Sequence, residues 1–313
     1  MDKTTYSVLV LMSTYQGEAY LREQLDSILA QRGVEVSLLV RDDGSKDATC
    51  RILQDYAGKY PRIRYYIGEN VGFIRSFSDL MKKALADDRQ PDFYALADQD
   101  DIWYPEKLYT ACQALQSKDA TKPLLFSSNS MKVDSSGHEL GLFHEGPCPD
   151  YRRGNVLVYG TEQGCSMTFN KKALELYAAH EPGMTYHDRW LYFICYYLGD
   201  VAYEHQPLFN YRIHDGNALG KIEHKPTKGC AMIKDRLSYY FLEPPVTRHL
   251  EMAAEFYDSF QSLLAEDDRR LFRKYITYRH NPVSKLYLMF HESFQFPFGG
   301  HGAQRRLFLF NKL

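Results

Sequence analysis

Short apolar runs alternate with longer amphipathic segments through the first third of the chain. The runs are "YSVLVLM" from Tyr6, "VEVSLLV" from Val34, "RIRYYI" from Arg62 and "DFYALA" from Asp92. Segments with apolar residues at helical spacing follow the first three runs, over residues 20–31, 47–60 and 73–85. This alternation predicts an α/β fold with a mostly parallel sheet flanked by helices.

The pattern is less regular beyond Pro123. Residues 123–133 and 155–170 are predicted as strands, and residues 171–180 and 188–199 as helices. Amphipathic helices follow, over residues 229–242, 247–264 and 267–280. We therefore expect a catalytic domain over 1–225, made of a nucleotide-binding half (1–122) and an acceptor half (123–225), and a C-terminal helical extension over 226–313.

Bulk composition narrows the class of protein. The 313 residues carry a net charge of −2, which gives no overall attraction to nucleic acid. Six cysteines without a C-x-x-C pair argue against a zinc site and a disulfide framework. No apolar run is long enough for a signal peptide or a membrane span. We expect a cytoplasmic protein.

Unusual polar loops follow the predicted strands. They read "STYQGEAY", "RDDGSKDAT", "GENVGF" and "ADQDDIW". Ligand sites of parallel α/β sheets lie beyond the carboxyl ends of the strands, so the loops stand where a site is expected. The sequence has no G-x-G-x-x-G after the first strand and no G-x-x-x-x-G-K-[ST], which argues against a dinucleotide site and a P-loop. The usual alternative for holding phosphates is a divalent metal with carboxylate ligands.

The fourth loop carries Asp98, Asp100 and Asp101, whose like charges repel one another. A bound Mg²⁺ or Mn²⁺ would turn that repulsion into attraction. If the segment is extended, alternation puts Asp98 and Asp100 on the same side. The alternative is that these residues only cap a helix that starts near Pro105.

A second carboxylate pair, Asp42 and Asp43, ends the neighbouring predicted strand. A carboxylate oxygen of one of them would accept a hydrogen bond from the N3–H group of a uracil or thymine ring. Turn formation and helix capping are the alternative use of "DGS". We expect both uses.

Four of these segments in this order and spacing resemble the nucleotide-binding half of family 2 glycosyltransferases of the GT-A fold. They are "VLMSTYQGEAYLREQLDSILAQ", "LLVRDDGSKDAT", "NVGFIRSF" and "LADQDDIWYPEKL". The later "GCSMTFN", "YHDRWL" and "YRIHDGN" resemble the acceptor half of bacterial rhamnosyltransferase-like members, which build cell-wall and capsular polysaccharides. The resemblance covers about residues 5–220.

The resemblance implies roles on the donor side. Thr14 and Tyr15 would line the base pocket with Glu18 nearby, and Asp42 would meet the base with support from Asp43. Arg75 would contact the nucleotide or its phosphates. Asp98 and Asp100 would form the D-x-D element, with Asp100 as the direct metal ligand and Asp101 assisting the sugar or the metal ligands. Trp103 would close the sugar pocket; ordinary packing at a helix start is the equal alternative.

The resemblance also places the catalytic base. In an inverting transfer a carboxylate must reach the attacking acceptor hydroxyl. Asp188 of "YHDRW" stands in the family's base position, where His187 replaces the more usual Glu; the alternative for Asp188 is a helix cap. His214 would bind the metal or the diphosphate, and Arg212 and Asn217 accompany it.

Gly164 and Cys165 would allow close approach to the sugar; the alternative is a turn with a buried thiol. Cys165 is assigned no catalysis, because the reaction needs no nucleophile from the protein.

The sequence thus predicts a metal-dependent inverting glycosyltransferase that moves a sugar from a nucleoside diphosphate to a hydroxyl of a glycan or lipid-linked acceptor. The resemblance favours dTDP-L-rhamnose as donor, with UDP-hexoses next. A sugar-phosphate nucleotidyltransferase should carry a Gly-rich basic loop that "STYQGEAY" lacks. A phosphohydrolase with Asp98 as nucleophile and a catalytically silent glycan-binding protein are competing hypotheses.

The C-terminal stretches "RRLFRKYITYRH" and "GGHGAQRRLFLFNKL" mix basic with apolar residues. Such a mixture suits a helix lying at the inner face of the cell membrane, where a lipid-linked acceptor would be found. A helical cap or a homo-oligomer surface is the alternative, and we favour it slightly.

Overall fold

The computed structural model describes residues 5–145, 152–158, 162–183, 186–214, 247–294 and 300–312. The chain divides into two compact units, one of Met1–Cys148 with Glu162–Asn217 and the other of Pro149–Thr161 with Ala218–Leu313. The expected boundary at residue 225, the expected helix over 229–242 and Asn217 lie outside the described residues. The expected division into domains therefore stays a prediction.

The first part of unit one alternates strand and helix as predicted. Its elements are β1 (Tyr6–Thr14), α1 (Leu21–Leu29), β2 (Val34–Asp42), α2 (Thr49–Lys59), β3 (Ile63–Ile67), α3 (Phe73–Leu85), β4 (Phe93–Ala97), β5 (Ile102–Trp103) and α4 (Lys107–Gln116). The four predicted strands and three predicted helices agree with β1 to β4 and α1 to α3 within two residues at each end. The apolar faces explain this agreement: α1, for example, buries Leu21, Leu25 and Ile28 at helical spacing.

The sheet brings the carboxyl ends of three strands together. The order over the described residues is β3-β2-β1-β4-β8-β6-β9-β5, with β7 paired to β6. Strands β1 to β4 pair in parallel, so that Thr14 lies opposite Asp42 and Met12 lies opposite Ala97. The loops after β1, β2 and β4 consequently meet at one edge of the sheet. The predicted α/β architecture is confirmed.

The second part of unit one completes the sheet with mixed pairing. Its elements are β6 (Leu124–Val133), β7 (Glu139–Leu142), a 3₁₀ turn (Gly164–Ser166), β8 (Thr168–Phe169), α6 (Lys171–Ala179), α7 (His187–Leu198) and β9 (Asp200–Arg212). Strand β9 runs parallel to β6, whereas β7 and β8 are antiparallel to it. The helices α6 and α7 agree with the predicted ones, and β9 was not predicted.

The strand predicted over 155–170 is wrong. Residues Arg153–Val158 form helix α5 in unit two, and only Thr168–Phe169 of the predicted range is strand. A short apolar run such as "NVLV" suits a buried helix as well as a strand, and periodicity alone cannot separate them. Here Val156 and Leu157 are fully buried on the helix.

Unit two is helical over its described residues. Besides α5 it contains α8 (Arg248–Phe260), α9 (Glu266–Thr277), α10 (Pro282–Phe290) and α11 (Gly300–Leu309), which confirms a C-terminal helical region. Asn281 caps α10 by accepting hydrogen bonds from the backbone N–H groups of Val283 and Ser284. One face of α10 exposes Val283, Leu286 and Phe290. Within the described ranges, no helix combines the length and the apolar character that crossing a membrane requires.

Replacing Gly199 by alanine should destabilise the protein strongly. A β-carbon at Gly199, which ends α7, would lie 1.8 Å from the carbonyl oxygen of Pro123. The backbone must shift to relieve this clash, at a cost of about 1–3 kcal/mol or more. Gly58→Ala is the matched control: apart from the adjoining backbone of helix α2, no atom of the described residues lies within 4 Å of that β-carbon, so this substitution should raise stability by up to ~1 kcal/mol. Denaturant unfolding measures both, and equal stability of the two variants would contradict the packing described.

Candidate active site

Three carboxylates follow the end of β4 at the edge where the loops meet. Asp98 comes directly after Ala97, and residues 99 and 100 lie in bends rather than in a strand. The alternation that was expected to put Asp98 and Asp100 on one side therefore does not apply, because the segment is not extended. Asp101 is buried, with 1% of its surface exposed, and Asp98 and Asp100 are half-buried.

The bends separate the carboxylates into two sets of partners. Asp98 and Asp101 each bring an oxygen to within 4.8 Å of the other and of Cys165 Sγ. Asp100 instead faces His214, whose Nε2 lies 2.8 Å from Asp100 Oδ2. We call Asp98, Asp100, Asp101 and Cys165 the acidic cluster.

The surroundings of the acidic cluster disfavour the ionised forms of Asp98, Asp101 and Cys165. Burial, followed by the charges of Asp100 and Asp188, raises the pKa of Asp98 to about 7. Burial and the charges of Asp100 and Asp98 raise the pKa of Asp101 well above its ordinary value. Burial likewise raises the pKa of the Cys165 thiol, which is therefore neutral near pH 7. A cation placed here would relieve this repulsion.

Polar side chains of α1 and of the residues just after it hold the backbone that carries the cluster. They are Gln24 and Ser27 in α1, and Gln31, which lies two residues beyond the end of the helix. The bonds join Gln24 Nε2 to Asp98 O (3.0 Å), Trp103 N to Ser27 Oγ (3.0 Å), Gln31 Nε2 to Tyr104 O (2.7 Å) and Leu108 N to Gln31 Oε1 (3.0 Å). Sequence reasoning missed these residues; the available signal was glutamine at positions where the helix pattern expects core residues.

Arg212, at the end of β9, binds the same backbone from the other side. It donates from Nε to Asp100 O at 3.0 Å, from Nη1 to Ser135 O at 3.1 Å, and from Nη2 to the carboxylate of Glu23. Its backbone N–H donates to Asp101 Oδ1 at 3.4 Å. Arg212 is 3% exposed. The guanidinium predicted to lie on the leaving-group side thus supports the acidic cluster.

Asp42 is fully buried and accepts five hydrogen bonds at the end of β2. The donors are Thr14 Oγ1 (2.9 Å), Gly44 N (3.1 Å), Ser45 N (2.8 Å), Ser45 Oγ (2.6 Å) and Cys50 Sγ (3.3 Å). A nucleotide base would have to displace one of these donors to reach Asp42. The turn and capping use of "DGS" is therefore present, and contact with the base stays a prediction.

Asp43 holds the loop that leads into α3. It accepts hydrogen bonds from Val71 N at 3.0 Å and Gly72 N at 2.8 Å, and it pairs with the buried Arg41. Gly72 adopts a positive φ of 81° at the start of α3, which favours glycine. Arg75 lies exposed in the first turn of that helix. Asp43 thereby sets the position from which Arg75 was predicted to meet the nucleotide.

The other residues predicted to contact the donor differ in how exposed they are. Tyr15 is 47% exposed, and its backbone N–H and carbonyl both bind the Gln99 amide, at 2.8 and 2.9 Å. Glu18 is exposed and accepts a hydrogen bond from Ala48 N at the start of α2. Thr14 is buried against Asp42. Trp103 is 3% exposed, which favours the packing alternative over closure of a sugar pocket.

Asp188 lies in the first turn of α7, beside the 3₁₀ turn of unit one. A β-carbon at Gly164 would come within 3.1 Å of Asp188 Cβ and 3.3 Å of its Oδ2, so the glycine permits this approach. Asp188 Oδ1 accepts a hydrogen bond from Arg189 N at 2.7 Å. The buried His187 stacks on Phe77 with 4.1 Å between ring centroids, and burial lowers its pKa, so the ring is neutral at pH 7.

An exposed aromatic pair adjoins this helix start and was not predicted. The rings of Phe73 and Tyr186 stack with centroids 5.8 Å apart, although 43% and 38% of these residues remain exposed. Phe73 also contacts the His187 ring edge-on at 6.2 Å. Exposed aromatic rings suit the apolar faces of sugars, and no periodic pattern would have revealed this pair from sequence.

The residues at the end of β4 fit a hard divalent cation. Carboxylate oxygens suit Mg²⁺ and Mn²⁺, and an imidazole is also a ligand for Mn²⁺. Among the described residues, the buried Asp101 Oδ2 has no hydrogen-bond partner. The neutral Cys165 thiol is a poor ligand for either ion, because the thiolate is the coordinating form. The metal ligands that the site offers are therefore mainly carboxylate oxygens.

The chain is similar in sequence to known glycosyltransferases. The model of glycosyl transferase family 2 matches residues 9–177. An uncharacterized glycosyltransferase of Rickettsia typhi is 24% identical over 299 residues, which cover 89% of this chain and 91% of that protein. The dTDP-rhamnosyl transferase RfbG of Shigella flexneri is 27% identical over 226 residues, which cover 67% of this chain and 73% of that protein.

Solved structures share the fold. S. aureus TarS 1–349 superimposes with a TM-score of 0.56 at 15% identity, covering 91% of this chain and 75% of that one. Its complex with UDP-GlcNAc gives a TM-score of 0.54 at 14% identity, covering 97% of this chain and 89% of that one. At these identities the likeness extends to the fold alone.

Asp98→Asn should stabilise the metal-free protein increasingly as the pH rises from 5 to 8. The folded-state pKa of Asp98, about 7, lies above the ordinary 3.8, so the folded protein binds this proton more tightly than the unfolded chain. The stability that this bound proton supplies is lost as the pH rises through 7. Asparagine does not ionise, so the variant does not lose this stability. Melting temperatures in EDTA measure this, with the exposed Asp88→Asn as control. An equal difference between Asp98→Asn and wild type at both pH values would contradict the raised pKa.

Proposed function

This chain belongs to glycosyl transferase family 2 and is a glycosyltransferase that uses a nucleotide-sugar, and we propose that it is a metal-dependent inverting enzyme with Asp188 as its base. The observation that carries the proposal is geometric. A β-carbon at Gly164 would come within 3.3 Å of Asp188 Oδ2, and the sulfur of the next residue, Cys165, lies within 4.8 Å of carboxylate oxygens of Asp98 and Asp101, so consecutive residues of one turn adjoin the proposed base and the proposed metal ligands.

In the proposed reaction an acceptor hydroxyl attacks the anomeric carbon of the donor. The new C–O bond forms as the bond to the diphosphate oxygen breaks, and the hydroxyl proton passes to a carboxylate oxygen of Asp188. The nucleoside diphosphate leaves.

Residues for the cation are proposed from the site. Asp98, Asp100 and His214 would hold Mn²⁺ or Mg²⁺, with Asp101 supporting them. When bound, the ion stabilises negative charge on the departing diphosphate. Arg212 and polar side chains of α1 fix the backbone of these ligands.

The donor is proposed to be dTDP-L-rhamnose, supported by the 27% identity to the Shigella flexneri dTDP-rhamnosyl transferase. UDP-hexoses are the next donors to test. Tyr15 and Arg75, both exposed near the strand ends, would contact the base and the phosphates. Asp42 and Asp43 would act by holding the loops that carry them.

The acceptor is proposed to be a hydroxyl of a glycan or of a lipid-linked sugar. Phe73 and Tyr186 would support its apolar face, because they stand exposed beside His187 and Asp188. Contact of the C-terminal region with a membrane or with a second copy remains part of the proposal. It is supported by the exposed face of α10, where Arg305 lies 4.6 Å from the Phe290 ring centroid.

A donor screen tests the substrate. Melting temperatures should be measured with dTDP-rhamnose, UDP-glucose, UDP-GlcNAc and GDP-mannose, each with and without Mn²⁺. We expect dTDP-rhamnose with Mn²⁺ to raise the melting temperature by about 5 °C near a hundredfold excess over its dissociation constant. A larger rise in melting temperature with a UDP-sugar would identify that sugar nucleotide as the donor in place of dTDP-rhamnose. If none of the four sugar nucleotides changes the melting temperature, with or without Mn²⁺, the proposal is contradicted.

Asp188→Asn tests the base. We expect turnover to fall about 10²- to 10⁴-fold, because the acceptor proton loses its carboxylate, while the donor-induced shift in melting temperature is retained. The control is Asp267→Asn, which changes an acid in the same second position of helix α9 and should leave turnover unchanged. Wild-type turnover in Asp188→Asn would exclude this assignment.

A further inference from the structure

Helix α10 presents large apolar side chains on its outer face. Val283, Leu286 and Phe290 follow one another at helical spacing, so they lie on one side of the helix. They are 65%, 60% and 59% exposed, whereas Ser284 and Leu288 are buried on the inner side. A single exposed apolar residue is ordinary in a folded protein, but a row of three large ones marks an interaction surface.

Helix α11 extends this surface. Arg305 and Leu309 are four residues apart, which places them on one face of α11, and both are exposed. The Arg305 guanidinium lies 4.6 Å from the centroid of the Phe290 ring. We call Val283, Leu286, Phe290, Arg305 and Leu309 the apolar-basic face.

Buried contacts fix the two helices to each other. Gln304 of α11 is completely buried and donates hydrogen bonds from Nε2 to Leu288 O at 2.7 Å and to His291 O at 2.9 Å. These carbonyl groups belong to the last turn of α10 and to the residue after it, where a helix end leaves carbonyls unpaired. The buried Phe308 ring of α11 packs edge-on against Phe294, with centroids 5.0 Å apart. The apolar-basic face is therefore carried on two helices with a fixed mutual position.

The part of the chain that carries this face is strongly basic. Unit two contains 17 Lys and Arg residues against 11 Asp and Glu, whereas unit one contains 21 against 29. From Arg279 onwards the sequence has five basic residues and a single acidic one, Glu292. Neither α10 nor α11 contains an acidic residue. The excess positive charge of unit two thus lies largely in the segment that forms the apolar-basic face.

Arginines of α9 are paired with acids, and the exposed arginine of the face is not. Arg270 lies 3.5 Å from a carboxylate oxygen of Asp267, and Arg273 lies 3.2 Å from one of Glu266. Within the described ranges, Arg305 has the Phe290 ring beside it and no carboxylate at ion-pair distance. Its charge therefore remains available to an anion outside the protein.

A face that is both apolar and basic suits one kind of partner. A bilayer with anionic phospholipids presents phosphates at its surface and acyl chains beneath them, so it accepts basic and apolar side chains from the same face. An arginine can keep its stem on apolar surface while its charged end reaches a phosphate. A second copy of the chain would instead bring positive charge against positive charge, which disfavours contact through this face.

We propose that the apolar-basic face docks this chain onto a bilayer that contains anionic phospholipid. The inference deepens the proposed function and rests on it for one point only, which is that a lipid-linked acceptor would be met at a bilayer. An enzyme held at that surface would meet such an acceptor at a higher effective concentration than in bulk water.

Vesicle flotation of the whole 313-residue chain tests the docking. Vesicles of phosphatidylcholine alone are compared with vesicles in which about one third of the lipid is phosphatidylglycerol. We expect clear binding to the anionic vesicles at low salt and much weaker binding at high salt, because salt screens the attraction. Absence of binding to the anionic vesicles, or equal binding to both kinds of vesicle, would overturn the proposal.

Leu286→Gln tests the apolar part of the face. Leu263→Gln is the matched control, because Leu263 is 58% exposed in unit two and lies outside the face. We expect Leu286→Gln to weaken binding to the anionic vesicles about fivefold and Leu263→Gln to leave it unchanged. Both positions are exposed, so both variants should keep the wild-type melting temperature. Equal binding of the two variants would overturn the role of the face.

A double variant, Arg305→Gln with Arg306→Gln, tests the basic part. We expect binding to the anionic vesicles to weaken about tenfold, since each basic residue near an anionic surface adds to the attraction. The matched control is Arg270→Gln with Arg273→Gln, which removes two exposed arginines of α9 and should cause a clearly smaller loss. If the two double variants lose binding equally, the inference is wrong.

Light scattering after size-exclusion chromatography tests the second copy as occupant. A wild-type dimer that Leu286→Gln converts to a monomer, without lipid, would mean that the face joins two copies, and the proposal would be overturned. A monomeric wild type, or a dimer that this substitution leaves intact, supports the bilayer.

These measurements are independent of glycosyl transfer, because they use no donor, acceptor or metal. Vesicle binding that ignores the substitutions in the face would overturn the inference and leave the proposed reaction intact. A chain that docks through the face but whose melting temperature responds to no sugar nucleotide would contradict the proposed reaction and leave the docking intact.

Discussion

Repulsion among Asp98, Asp100 and Asp101 is the constraint that the rest of the site accommodates. Free carboxylates so close in sequence would relax by moving apart. Here Gln24, Ser27 and Arg212 bind the backbone of this segment and of Trp103 just after it, so the segment cannot open without breaking several partly buried hydrogen bonds. The repulsion therefore persists in the folded state, where it contributes to the raised pKa values of Asp98 and Asp101. A cation bound at this position would relieve the repulsion.

Carboxylates at the ends of β2 and β4, the two strands that flank β1, have different surroundings. Asp42 receives five hydrogen bonds and Asp43 binds two backbone N–H groups and Arg41, so these charges are satisfied inside the protein. Over the part of the chain that the structure describes, Asp101 Oδ2 has no hydrogen-bond partner. Asp42 and Asp43 thereby hold the loops after β2 and β3, whereas the carboxylates after β4 are the ones proposed to bind a cation. In sequence the two sets of aspartates look alike, because both follow predicted strands. Their hydrogen-bond partners in the structure distinguish them.

How far the sequence predicts the structure depends on the distance over which a residue finds its partners. Strands β1 to β4 were predictable because their apolar runs are continuous and local. Strand β9 was missed because polar residues interrupt it and its pairing with β6 shifts register between Ser128 and Asn129. Lys107 looks like an ordinary charged residue at a helix start, and its burial becomes visible only when β9 brings Phe209 against it. Pattern locates the strand ends, and tertiary contacts decide which polar residues there are buried.

The 3₁₀ turn Gly164–Ser166 adjoins both the proposed base and the acidic cluster. Asp188 belongs to α7 and Asp98 to the end of β4, and these elements are far apart in sequence. Two consecutive residues of the turn face them: Gly164 lies against Asp188, and Cys165 lies against Asp98 and Asp101. A side chain at Gly164 would press Asp188 away, whereas the neutral Cys165 thiol fills space beside the carboxylates without adding charge. In the proposed reaction the acceptor hydroxyl and the departing diphosphate must lie on opposite sides of one sugar carbon, so this turn would fix the width of the space in which the transfer occurs.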